Sequence, residues 1–121
     1  NGRKLSVAED RELDGATVLS SKANFKDEYW NGGVPHVLQK FRPSLAYRLA
    51  LVAQGRYDAM LTLWDTFEWD VAAGSLIAAE AGAVVSDRLG DPPVFNKKHP
   101  VMTGYVAASE RLHAQLVDRL K

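Results

Sequence analysis

The sequence predicts an α/β layered sandwich: a central, mostly parallel or mixed sheet of about five strands flanked by helices. Two observations carry that prediction. Short apolar runs bounded by turn residues recur along the chain, and longer stretches with helical spacing separate them. Strands alternating with helices give a sheet whose faces are covered, because each crossover returns the chain over the sheet.

The elements follow in order. Asn1-Gly2 is a strong two-residue hairpin signal, since both positions tolerate positive φ. Such a turn needs a strand before it, so the start is expected to be a cut through a larger protein. Residues 4–8 read as a short strand, and a charged connection runs over 9–14. Thr-Val-Leu-Ser at 17–20 is the next strand. The polar, aromatic stretch 22–36 contains Asn31-Gly32-Gly33 and Pro35, which predicts one short helix and then a loop. Residues 37–41 supply another strand.

After the break at Arg42-Pro43, Ser44 is placed to cap a helix whose Leu45, Leu49, Val52 and Ala53 recur at helical spacing. Gln54-Gly55 ends it. Residues 58–63 read as a buried strand, with a loop through Trp64-Asp65-Thr66-Phe67. A second helix is expected after Asp70, running to Ala81 and stopped by Gly82. Residues 84–86 form a strand, 87–100 a long Gly/Pro loop, 105–108 a last strand and 109–120 an amphipathic helix. Residues 1–121 are read as a single domain.

Composition narrows the function. With 46% hydrophobic residues in 121, one core suffices, burying roughly two thirds of the surface the unfolded chain exposes. Fifteen basic residues balance fifteen acidic ones, which gives no electrostatic footprint for nucleic acid or an anionic membrane. No cysteine is present, so disulfides, thiolate metal sites and cysteine nucleophiles are excluded, and a reducing cytoplasm is the expected location. The apolar runs fall short of the ~20 residues of a membrane span.

The chemistry concentrates at Glu68-Trp69-Asp70-Val71-Ala72-Ala73-Gly74, an acid at the start of a small-residue helix. An aspartate there can cap first-turn amides, complement the helix dipole and present an oxygen to a cation. The small residues behind it leave room for a ligand or another backbone. The pairs Trp64-Asp65 and Trp69-Asp70 lie five apart, far from the ~40-residue recurrence of propeller blades. Asp14-Gly15-Ala16-Thr17 reads as a turn into a strand, and Lys97-Lys98-His99 as a solvated loop. His36, His99 and His113 share no ligand spacing. Ligands of open α/β sheets sit beyond the carboxyl ends of strands, beside helix N-termini. The helix starts at Ser44 and Asp70 are therefore expected to line one crevice, with Arg48 reaching the same end and Thr62 and Glu68 near its rim.

The run Trp69-Asp70-Val71-Ala72-Ala73-Gly74, Leu76-Ile77 and Glu80-Ala81-Gly82-Ala83 resembles the C-terminal signature of the inositol monophosphatase family. Leu51-Val52-Ala53, Gly55 and Asp58-Ala59 resemble its upstream helix-to-strand segment. Val84-Val85-Ser86-Asp87 and Val106-Ala107-Ala108-Ser109 resemble its later strands, and Asn1-Gly2 with Leu5-Ser6-Val7 the hairpin into its second domain. The resemblance implies a Mg²⁺-dependent, lithium-sensitive phosphomonoesterase acting on a phosphorylated small molecule, an inositol phosphate or a nucleotide 3'(2'),5'-bisphosphate among others. It implies metal-assisted hydrolysis, with Asp70 as catalytic metal ligand and Ser44, Arg48, Thr62 and Glu68 as substrate-binding positions.

The chain departs from that pattern in three places. Pro43 stands where the family has glycine before Ser44, and Thr62 where inositol-specific members carry glutamate. The family's N-terminal glutamate and Asp-Pro-x-Asp-Gly-Thr motif are absent. The resemblance therefore implies a C-terminal domain lacking its N-terminal metal-binding partner, inactive alone. Its uncovered apolar face predicts a homo-oligomer. The alternative reading is a non-catalytic binding or oligomerisation module that keeps the fold.

Overall fold

The computed structural model describes residues 6–7, 12–93 and 101–120. The expected hairpin at Asn1-Gly2, most of the strand at 4–8 and the Lys97-Lys98-His99 loop lie outside the described residues. The elements are β1 (Thr17–Leu19), β2 (Leu38–Lys40), α1 (Leu45–Ala53), β3 (Ala59–Phe67), α2 (Glu68–Glu80), β4 (Val84–Ser86), β5 (Val101–Ala108) and α3 (Glu110–Arg119). Strand order is β2-β1-β3-β5-β4. The first three strands run parallel, whereas β5 runs antiparallel to both β3 and β4, so the sheet is mixed.

The period of two along each strand sorts side chains onto two faces. Leu19, Met60, Tyr105 and Ala107 point to a layer closed by Leu49 and Val52 of α1 and Val71 and Ala78 of α2. Val18, Leu61, Leu63 and Val106 point to the other layer, closed by Leu112 and Leu116 of α3 and by Trp30. Helices thus cover both faces, as the alternating sequence requires.

Helix α1 begins and ends as its sequence dictates. Ser44 Oγ accepts the Tyr47 N–H at 3.3 Å, satisfying one of the free first-turn donors. Gln54 closes the last turn, and Gly55 follows in the left-handed region at φ +73°.

Three expectations change. Residues 64–67 form no loop but continue β3, paired with β5 through Asp65↔Thr103, Thr66↔Met102 and Phe67↔Val101. The register shifts between Thr62 and Asp65. Gly104 stands opposite the shift at φ +74°, where a Cβ would lie 2.9 Å from the Thr62 carbonyl oxygen. The close backbone approach therefore requires glycine and lets the ladder resume beyond the bulge.

Because β3 runs straight into α2, the helix starts at Glu68, with Phe67 as its N-cap and no side-chain cap. Asp70 is consequently inside the first turn and does not cap the helix; what remains is its charge beside the positive end of the helix dipole. Finally, the region 22–36 holds two 3₁₀ turns, Lys22–Asn24 and Asp27–Tyr29, in place of one helix. Buried Asn24 ties them down. Its Nδ2 donates to Ser20 Oγ at 2.7 Å, its Oδ1 accepts the Leu63 N–H at 3.1 Å, and its carbonyl accepts Trp30 Nε1 at 2.9 Å.

No helix among the described residues is long and apolar enough to cross a membrane.

Candidate functional site

Helices α1 and α2 pack side by side over the sheet. Gly74 makes that approach possible: a Cβ there would lie 2.6 Å from Leu49 Cδ1 and 2.9 Å from Leu49 Cβ. The small residue in the signature thus serves close helix packing. Deeper in the same layer, Ser75 and Tyr105 share a hydrogen bond that ties α2 to β5. Burial pushes the Tyr105 phenol up to about 12 despite the opposing pull of Ser75, so it acts as a neutral anchor.

The packing sets the first turn of α2 beside the start of α1. Between them opens a cleft of about 450 Å³ lined by Ser44, Leu45, Ala46, Arg48, Trp69 and Asp70. Three of the residues singled out in sequence, Ser44, Arg48 and Asp70, are brought together here.

Each arrives by a different local route. Ser44 follows Pro43 with φ +70°, the one positive φ outside glycine among the described residues, a conformation costing of order 1–3 kcal/mol. Its Oγ serves Tyr47 as acceptor, which leaves its hydroxyl proton for another partner. Arg48 donates from Nε to the Arg42 carbonyl at 2.6 Å, and its guanidinium carbon lies 4.9 Å from the centre of the Phe41 ring. Partial burial pulls its pKa below the ordinary value, and as an arginine it stays charged. Asp70 is exposed. Its neighbour Trp69, 63% exposed, stacks on Phe67 with ring centres 4.5 Å apart.

Thr62 is not part of this cleft. It is buried in mid-strand opposite Tyr105, and its Oγ1 accepts the Trp64 N–H at 3.4 Å. The extra length of β3 separates it from the helix start. Glu68 opens α2, and its side chain lies outside the described part of the residue. Sequence reasoning missed Leu45, Ala46 and Trp69 as lining residues, although adjacency to Ser44 and Asp70 was the available signal. It also missed Phe41 and Arg42, whose hold on Arg48 depends on how the segment after β2 folds back on α1.

As a metal centre the cleft is incomplete. Among the described residues its lining includes a single carboxylate, Asp70. Among the described residues no group of three or more histidine, aspartate or glutamate side chains gathers to hold an ion. Mg²⁺ takes near-octahedral oxygen coordination, commonly from one or two carboxylates with waters and substrate phosphates. These residues do not fit a self-contained catalytic metal site.

The sequence profile of the inositol monophosphatase family matches residues 1–121. Among curated relatives, the chain is 36% identical over 115 residues to the Nus factor SuhB of Pseudomonas aeruginosa, covering 84% of this chain and 41% of that protein. It is 30% identical over 132 aligned positions to the inositol-1-monophosphatase of Caulobacter vibrioides, covering 98% and 48%. The extragenic suppressor protein SuhB of Bartonella henselae superposes with a TM-score of 0.73 at 26% identity, over 98% of this chain and 47% of that one. Inositol monophosphatase II of Staphylococcus aureus, with inositol monophosphate bound, shares the fold at a TM-score of 0.75 and 17% identity, over 97% and 45%. The chain spans about half the length of the relatives it matches. It belongs to the inositol monophosphatase family.

Proposed function

We propose that this chain is the C-terminal-type part of a Mg²⁺-dependent phosphomonoesterase whose substrate is an inositol phosphate or a nucleotide 3'(2'),5'-bisphosphate. In this reading Asp70 supplies one carboxylate to a metal site. The other ligands come from the portion of the family fold that this sequence does not cover. The observation that carries the reading is the convergence of Ser44, Arg48 and Asp70 on one open cleft between two helix starts.

The chemistry of that cleft suits a phosphate ester. Arg48 offers a fixed positive charge, and guanidinium groups bind phosphate oxygens through parallel N–H donors. The starts of α1 and α2 add the positive ends of two helix dipoles. Asp70 would repel the phosphate unless a cation stood between them, which agrees with a shared metal. Thr62, held inside the sheet, has no part in this scheme.

By itself the chain is expected to be catalytically silent. Phosphate release from inositol 1-phosphate and from adenosine 3',5'-bisphosphate with Mg²⁺ tests this directly. Background-level release from the chain alone is expected, with turnover on adding a polypeptide that carries the family's N-terminal half and its loss in Asp70→Asn. Robust turnover by the chain alone would overturn its assignment as one wall of a shared site.

A further inference from the structure

The segment joining β2 to α1 contains an exposed aromatic ring, Phe41, and one arginine, Arg42; neither Arg42 nor Arg48 of α1 has a carboxylate partner among the described residues. Phe41 is 53% exposed and belongs to neither core layer. Arg42 donates from Nη1 to the Phe41 carbonyl and from Nη2 to the Tyr57 hydroxyl, each at 2.7 Å, and its guanidinium carbon lies 5.6 Å from the Tyr57 ring centre. Those bonds and Pro43 fix the Arg42 backbone, whose carbonyl takes Arg48 Nε–H at 2.6 Å. With the Phe41 ring 4.9 Å from its central carbon, Arg48 is held along one edge and one face. Its Nη groups make no hydrogen bond to a described residue, and the residue lines the cleft.

A half-buried guanidinium is ordinarily matched by a carboxylate or left free to move in water. Arg48 has neither arrangement. It is restrained by neutral groups that fix its position without consuming its charge or its paired donors. Restraint of this kind lowers the entropy lost when a bidentate oxyanion binds.

We propose that Phe41 is a positioning residue for ligand binding: its ring, with the Arg42 carbonyl, pre-sets the Arg48 guanidinium to grip a phosphate oxyanion in the cleft. The inference rests on the reading of Arg48 as a phosphate-binding residue.

The test is titration of the full chain with adenosine 3',5'-bisphosphate and, separately, inorganic phosphate. Binding is followed by calorimetry and by the Arg48 Nε–H resonance. Binding by the parent is expected to weaken by at least about tenfold in Arg48→Ala. Phe41→Leu, which keeps an apolar side chain but removes the π face, is expected to weaken it about two- to fivefold with an unchanged melting temperature. Phe41→Tyr should restore parental affinity. A ring that merely fills surface would leave both the affinity and the Nε–H resonance unmoved in Phe41→Leu. That outcome, with Arg48→Ala still defective, would overturn the role of Phe41 and leave the reading of Arg48 standing. Absence of anion binding by the parent, or parental binding by Arg48→Ala, would overturn both.

Discussion

The two faces of the sheet are finished differently. On the α3 side the core is closed and its outer surface is largely polar: Leu112, His113 and Leu116 are buried, while Glu110, Arg111 and Asp118 face solvent. Arg111 pairs with Glu12, and Arg119 donates to the carbonyls of Asn31 and Gly33 at 2.8 and 2.6 Å, fastening the 22–36 connection over the layer. On the α1/α2 side the inner surface is packed as tightly, yet the outer surface of α2 carries Trp69, Ala73, Leu76 and Ile77 in the open. The candidate site lies on this second side. A helix apolar on its outward face is built to be covered, whereas a helix polar on that face is already at its boundary.

The sharpest way to break the contrast is to separate the helices that form the cleft. Gly74→Ala would set a Cβ 2.6 Å from Leu49 Cδ1, and overpacking of this kind destabilises by about 1–3 kcal/mol. Urea unfolding should show the loss, and adding Leu49→Ala should make the pair less damaging than the sum of the single changes. Strict additivity would mean that Gly74 is not where α1 and α2 touch. Methyl groups on the exposed flank of α2, at Ala73 for example, have no such neighbour to strike.

That difference between flank and contact marks what a sequence can and cannot disclose. The start of α1 was legible because its cap is local: Ser44 reaches Tyr47 three residues on. The stops at Gly55 and Gly82 were legible because both need positive φ, here +73° and +104°. The convergence of Ser44 and Asp70 was also accessible, since strands of one sheet deliver the following helix starts to one end. The length of β3 was hidden, because Asp65, Thr66 and Phe67 are held in the strand by partners on β5. The same cause keeps Thr62 out of the cleft and removes Asp70 from the capping position. The connection 22–36 was misread for a similar reason, its shape being fixed by Asn24 bonding to Leu63, thirty-nine residues away.

The closed face makes a prediction of intermediate size. Ser86 Oγ donates to the Asp87 carbonyl at 2.7 Å, so its contact with His113 Nε2, also 2.7 Å, requires the imidazole to donate from that nitrogen. Burial lowers the His113 pKa below its ordinary value, keeping the folded side chain neutral where the unfolded one begins to charge. The unfolded state therefore binds more protons in the window between the depressed folded pKa and the unfolded value of about 6.5. Stability is full above that window and is lost as pH falls through it. The contribution of one such group cannot exceed about 1.4 kcal/mol per pH unit. Urea unfolding from about pH 8 down to about pH 5 should show the decline, with a shallower one in His113→Gln. Equal slopes in the two proteins would show that His113 does not couple the closed face to pH.

The smallest effect on stability, and the most direct comparison of the outer surfaces, comes from charging them. Leu76 and Ile77 are 63% and 41% exposed and belong to neither core layer, so Leu76→Lys with Ile77→Glu leaves both core layers intact. Substitutions at such positions change folding stability by about 0.5 kcal/mol or less. Ala114→Lys on the outer face of α3 should be as mild, since Ala114 is exposed as well. The two variants should part company in sedimentation velocity. An apolar stripe facing water favours association in proportion to the area it can bury. The parent and Ala114→Lys are therefore expected to sediment faster as concentration rises, while the charged α2 variant keeps the rate of a single chain. If parent and α2 variant sediment alike at every concentration, self-association does not run through this stripe, and the open face of α2 awaits a different cover.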